Sequence, residues 1–133
     1  MQLPKGATVA VVDGEKFNLF RNSGDEAGLV LSASPHDEID AGHAAGAGRH
    51  SSSANPDQSQ ADEDGFSAGV AEVLNTRVLE GKISSLLIIA APRALGALRK
   101  HYHPKLAAVL SGEIAKDLAG LSAQELEKAI LAA

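Results

Sequence analysis

The run from Ser84 to Ala91, SSLLIIAA, is apolar at every position after its two serines, so neither face of it can be turned to water. A strand with one wet face alternates; one that does not must lie inside a sheet covered on both sides. Pro92 follows at once and suits the first turn of a helix, where its missing N–H costs nothing. A buried strand leading straight into a helix points to a layered α/β domain. At 133 residues the chain suits one such domain, 1–133, and would crowd two.

The flanking segments supply the other layers. Thr8 to Asp13 (TVAVVD) is β-branched and apolar, and Lys16 to Phe20 alternates, with Phe17 and Leu19 opposite Asn18 and Phe20. Asp13-Gly14 between them is a dipeptide that favours a type I′ hairpin turn. Asn22 to Asp25 reads as a turn and Gly28 to Ala33 as a third strand, completing an antiparallel meander. Phe66, Val70, Val73 and Leu74 fall at helical spacing, predicting a helix from about Phe66 to Glu80 closed by Gly81. A second helix runs from Pro92 to about Tyr102, with Leu95, Leu98 and Tyr102 on one stripe, and His103-Pro104 breaks it. Leu106 to Leu110 is a short apolar stretch leading to an edge strand near Gly112 to Lys116. The last helix opens with a capping box, Ser122 and Glu125, and a hydrophobic staple, Leu121 against Leu126. The order βββαβαβα predicts a five-stranded mixed sheet with helices on both faces, a ribonuclease H-like arrangement.

Between the third strand and the first helix, Ser34 to Asp64 holds Ile39 as its only large apolar side chain. A segment that buries so little cannot offset its ordering entropy, so 34–64 is expected to be a long disordered loop. The net charge of −5 gathers there. Of the chain's 17 acidic and 12 basic residues, this segment takes seven and one, leaving ten and eleven elsewhere. The remainder is nearly neutral, with one basic cluster at Arg99, Lys100, His101, His103 and Lys105. Cations there complement a helix C-terminus and solvate its face. The functional alternative is a patch for RNA phosphates, helped by Arg93 at the helix start. Phe17, Phe20, Phe66 and Tyr102 are the only aromatic residues, which excludes a surface built on several stacked bases and leaves backbone and shape contacts.

Other chemistries lack their parts. The chain has no cysteine, so disulfides and thiolate zinc sites are excluded. Asp13 with Glu72 or Glu80 could begin a two-metal nuclease set, but the buried strand ends Ala90-Ala91-Pro92-Arg93 with no third carboxylate. Gly65-Phe66-Ser67-Ala68-Gly69 matches a nucleophile-elbow pattern without the preceding strand, and reads as a helix start with Asp64 or Gly65 near the cap. His36, His43 and His50 recur every seven residues with glycines between them and no further ligand pattern, so no metal is assigned. Gly46-Ala47-Gly48-Arg49 lacks the strand, helix and lysine of a phosphate-binding loop. Met1 to Gly6 has no apolar signal core and no run reaches 18 apolar residues, so a cytoplasmic protein without membrane contact is expected.

Several blocks closely resemble the bacterial host attachment protein family, the proteins required for attachment to host cells. They are Leu3-Pro4, Val9 to Asp25 (VAVVDGEKFNLFRNSGD), GRHSSS (Gly48 to Ser53), LLIIAAPRALGALRK (Leu86 to Lys100), GEIAKDL (Gly112 to Leu118) and the final QELEKAI. That family in turn resembles the middle domain of archaeal and eukaryotic class-1 peptide-chain release factors. In those factors the loop after the third strand carries a Gly-Gly-Gln tripeptide that positions water for peptidyl-tRNA hydrolysis. Here the loop has Gly46-Ala47-Gly48-Arg49, while Gln58 and Gln60 have no glycine neighbours, so the residues that license release are missing. The resemblance implies a non-catalytic module contacting the ribosome, tRNA or rRNA through Arg49, Arg93, Arg99, Lys100, His103 and Lys105, without cofactor or small-molecule substrate. The alternative is a protein-binding regulatory factor in attachment, with loop 34–64 ordering on its partner.

Overall fold

The structure, a computed structural model, describes residues 3–13, 16–24, 28–34 and 56–133, with the backbone path alone for 56–64. Five strands form one sheet: β1 (Thr8–Val12), β2 (Phe17–Asn22), β3 (Leu31–Ser34), β4 (Leu86–Ala90) and β5 (Leu110–Ala115). Their spatial order is β3-β2-β1-β4-β5. β1 pairs antiparallel with β2 and β2 with β3, whereas β1 and β4, and β4 and β5, are parallel. Four helices lie among the described residues: α1 (Pro56–Leu79), α2 (Pro92–Arg99), α3 (Pro104–Val109) and α4 (Ala123–Ala132). The expected α/β class and mixed five-stranded sheet are what the chain adopts.

Every residue of β1 and β4 is buried. Because successive side chains on a strand point to opposite faces, this pair feeds two cores. Ala10, Val12, Leu86, Ile88 and Ala90 meet Val70, Ala71 and Leu74 of α1, Leu95 and Leu98 of α2 and Leu106 of α3. On the other face Val9, Val11, Leu87 and Ile89 meet Leu126 and Ile130 of α4, with Leu3 and Ile114 beside them. Phe17 is the only aromatic among the buried described residues, and small alanines such as Ala10, Ala71 and Ala94 fill the close approaches.

Local chemistry explains several boundaries. At α4, Ser122 Oγ accepts from Glu125 N–H at 3.2 Å and Glu125 Oε1 accepts from Ser122 N–H at 3.1 Å, so the capping box forms as expected. At the end of α1, Gly81 takes φ +79°. Its N–H donates to Val78 O at 3.0 Å while Lys82 N–H reaches Arg77 O at 2.9 Å, the paired bonds of a Schellman stop.

Other boundaries differ from the sequence reading. α1 begins at Pro56, not near Phe66, so Asp64 and Gly65 lie within a helix instead of capping it. Pro56 is itself suited to the first helical position, and an apolar face is not needed where a helix is only being extended. Of the expected loop 34–64, Ser34 is the last residue of β3 and residues 56–64 are helical, while the loop reading for residues 35–55 lies outside the described residues. Asp13 N–H donates to Lys16 O at 2.9 Å, so Asp13 flanks the β1–β2 connection and does not occupy its centre. The type I′ geometry itself involves residue 14, outside the described set. α2 stops at Arg99, short of Tyr102, and the apolar stretch after Pro104 forms the short helix α3. β5 starts at Leu110, with a register shift opposite Leu86/Leu87.

The third strand is also shorter than its pattern, starting at Leu31 opposite Asn22, the last residue of β2 and one expected in a turn. Asn22 is fully buried. Its Nδ2 donates to Leu3 O at 3.1 Å and Pro4 O at 3.2 Å, and its Oδ1 accepts from Gly24 N–H at 3.0 Å and Val30 N–H at 3.2 Å. One amide thus ties the N-terminal segment to both sides of the β2–β3 connection. Asn22→Ala should cost about 3 kcal/mol in chemical denaturation, because it strands several buried backbone groups at once.

Candidate nucleic-acid interface

α2 lies on the sheet through Ala94, Leu95, Ala97 and Leu98, all buried. That packing forces Arg93, Gly96, Arg99 and Lys100 to the exposed side. The helix starts one residue after β4, and Ala91 N–H reaches back to Val12 O at 3.4 Å. Arg93 is therefore placed at the carboxyl ends of β1 and β4, while Arg99 and Lys100 fall at the other end of the helix.

The chain then turns sharply into α3. His103 caps α3, its Nδ1 accepting from Lys105 N–H at 3.0 Å. Asn75 on α1 holds this turn from below: its Nδ2 donates to His101 O at 2.8 Å and its Oδ1 accepts from His103 N–H at 3.0 Å. Lys100, His101 and Lys105 remain exposed around the turn. Ala68, Glu72, Asn75 and Thr76, at positions i, i+4, i+7 and i+8 of α1, line an open pocket of about 330 Å³ with His101.

Arg99 has a different environment. Its Nη2 contacts Glu113 Oε1 on β5 at 2.8 Å, and its Nε donates to the same carboxylate at 3.2 Å. Tyr102 Oη donates to Glu113 Oε2 at 2.8 Å. Hydrogen bonding to Glu113 pushes the Arg99 guanidinium further above its ordinary value. The same bond from Arg99, helped by Tyr102 and opposed by partial burial, holds the Glu113 carboxyl below the usual carboxylate range. Burial first, then the bond to Glu113, raises the Tyr102 phenol. The triad locks the end of α2 to the edge strand, and it makes Arg99 a shared cation.

Of the six residues singled out in the sequence, the structure gathers Arg99, Lys100, His103 and Lys105 around the α2–α3 turn and sets Arg93 at the far end of α2. His103 serves that turn as a cap. Arg49 lies outside the described residues, as do His36, His43, His50 and Gly46 to Gly48. Among the other acids and nucleophiles, Glu80 pairs with Lys82 at 3.3 Å, and Ser67 is buried within α1 instead of sitting on a strand-to-helix elbow. Among the described residues no group of three or more histidines and carboxylates is close enough to hold a metal ion. Asn75 and Glu113 escaped the sequence reading because their partners are 26 or more and 11 to 14 residues away in the chain.

With this architecture the chain takes its place in the class of release-factor-like α/β domains. The family is bacterial archaeo-eukaryotic release factor family 12: the match runs over residues 6–130, nearly the whole chain, and the chain belongs to it. No curated protein matches the sequence.

The Glu113 contacts carry a pH signature. A carboxyl with a lowered folded pKa contributes stability that is complete above its unfolded value, near 4.5, and is lost as pH falls through the folded value. Glu113→Gln should lower Tm at pH 7, and the gap to the wild type should close on acidification below that range. A gap that is constant with pH in thermal melts would show that the ionised carboxylate is not the stabilising species.

Proposed function

We propose that this release-factor-like chain is a non-catalytic docking module that contacts RNA of the translation apparatus in the cytoplasm. The observation that carries this reading is the exposed basic surface of α2 and the α2–α3 turn: Arg93, Lys100 and Lys105, with Arg99 shared with Glu113. Arg93 and Lys105 stand on helices packed into one core, and Asn75 holds the turn that follows Lys100, so the charge is presented in a set geometry. The sheet order β3-β2-β1-β4-β5 supports a ribonuclease H-like relation to release-factor middle domains. The sequence lacks Gly-Gly-Gln, which supports docking without peptidyl-tRNA hydrolysis. Among the described residues no helix is long and apolar enough to cross a membrane. The resemblance to host attachment proteins names a phenotype, which such a module can serve from within the cell.

Co-sedimentation with purified ribosomes across a salt series tests the reading. Binding is expected at low salt and should fall as salt rises, since phosphate contacts release counterions. Lys100→Glu and Lys105→Glu should each weaken binding and reduce the salt slope by about one. Absence of association at low salt, or association untouched by both reversals, overturns it. Recovery of a protein partner that persists after ribonuclease treatment would favour a regulatory protein-binding role in attachment instead.

A further inference from the structure

Gly96 stands in the middle of the exposed face of α2. A glycine inside a helix is less favourable than alanine, through the backbone freedom it loses on folding. That cost usually has an internal reason, a positive φ or a neighbour pressed against the missing side chain. Gly96 has neither: its φ is not positive, and a Cβ built there meets nothing within 4 Å. The fold would accept alanine and be more stable for it.

What surrounds the bare position is charge. Arg93, Gly96 and Lys100 follow one another at i, i+3 and i+7 along a single stripe, and Arg99 borders it on the other side. The arrangement is a side-chain-free floor with cations at both ends. A phosphodiester backbone is the occupant this charge favours. Its sugars can settle against the helix at van der Waals distance while successive phosphates meet Arg93 at one end and Lys100 at the other. These two residues are seven apart, or about 10 Å along the helix axis, which an RNA backbone spans in two nucleotides.

We infer that Gly96 is a contact floor for an RNA sugar–phosphate backbone, kept bare so that the strand can approach α2 between Arg93 and Lys100. The inference rests on the RNA-docking reading above and specifies which surface the RNA touches and how closely.

The test sets stability against affinity, using the full chain and a fluorescently labelled RNA hairpin read by anisotropy. Gly96→Ala should raise Tm by about 4 °C while weakening the hairpin. Gly96→Gln, which fills the floor without adding charge, should weaken it by about tenfold. Lys100→Glu is the control for the underlying reading. If Lys100→Glu abolishes binding while Gly96→Gln leaves it unchanged, the floor is overturned and the RNA reading stands. If neither matters, the RNA reading falls and the floor with it. A fall in Tm for Gly96→Ala would show that the fold itself needs the glycine, overturning the argument from its cost. A change in oligomeric state for Gly96→Gln with hairpin affinity intact would assign the surface to a second copy of the chain and overturn the RNA floor.

Discussion

The parallel pairing of β1 with β4 is the constraint on which the rest of the molecule depends. Both strands are buried on both faces, and their register, Thr8 with Leu86 through Val12 with Ala90, sets the two cores back to back. With Phe17 the only aromatic among the buried described residues, the stability of both cores comes mainly from many aliphatic contacts at short range. Such contacts need layers that approach closely, and alanine meets that need at Ala10, Ala90, Ala94 and Ala97. The same requirement leaves no freedom in how α2 seats on the sheet.

The position of the basic surface follows from this. β4 passes to α2 through Ala91 alone, so the helix must fold straight back over the strand it has just left. A helix rises about 1.5 Å per residue and a strand about 3.3 Å, so the eight residues of α2 cover about 12 Å against about 16 Å for the five of β4. The chain ends α2 before it has regained the starting edge of the sheet, and the remaining distance is covered by the Lys100 to His103 turn and α3. Arg93 therefore belongs to one edge of the sheet, Lys100 and Lys105 to the other, and the exposed stripe of α2 joins them. Asn75 and Glu113 hold the turn from the two sides that flank it, α1 and β5.

What could be read from the sequence was what short-range chemistry dictates. The capping box at Ser122, the glycine stop at Gly81 and the unbroken apolar run of β4 each announce themselves within a few residues. Position 56 shows the limit of that reading. A helix that extends beyond the packed core has no apolar periodicity to display, and so its first turns look like the polar segment before them. Asn22 shows a second limit. Its sequence context, Asn-Ser-Gly-Asp, is that of a turn, yet its amide is buried because Leu3 and Pro4 arrive from elsewhere in the chain to receive it. The basic cluster was legible as composition, but its division was not. That His103 caps a helix, that Arg99 shares its charge with Glu113, and that Lys100 and Lys105 stand exposed are consequences of tertiary placement.

The net charge of −5 is better understood once the path of α1 is known. Asp57, Asp62, Glu63 and Asp64 fall within the first nine positions of that helix, and Asn75, beneath the basic turn, is the twentieth. At 1.5 Å per residue these acids enter the helix about 16 to 27 Å along the axis from the turn. Screening at physiological salt reduces interactions beyond about 8 Å, so a sum over the whole chain says little about the potential beside Lys100 and Lys105. Among the described residues, Glu72 lines the pocket with His101 and Glu113 is bonded to Arg99. A negative total and a locally basic surface at the turn are therefore compatible. A polyanion near the α2–α3 turn responds to the exposed Lys100 and Lys105 and not to the sum, so the total of −5 does not decide against the proposed RNA contact.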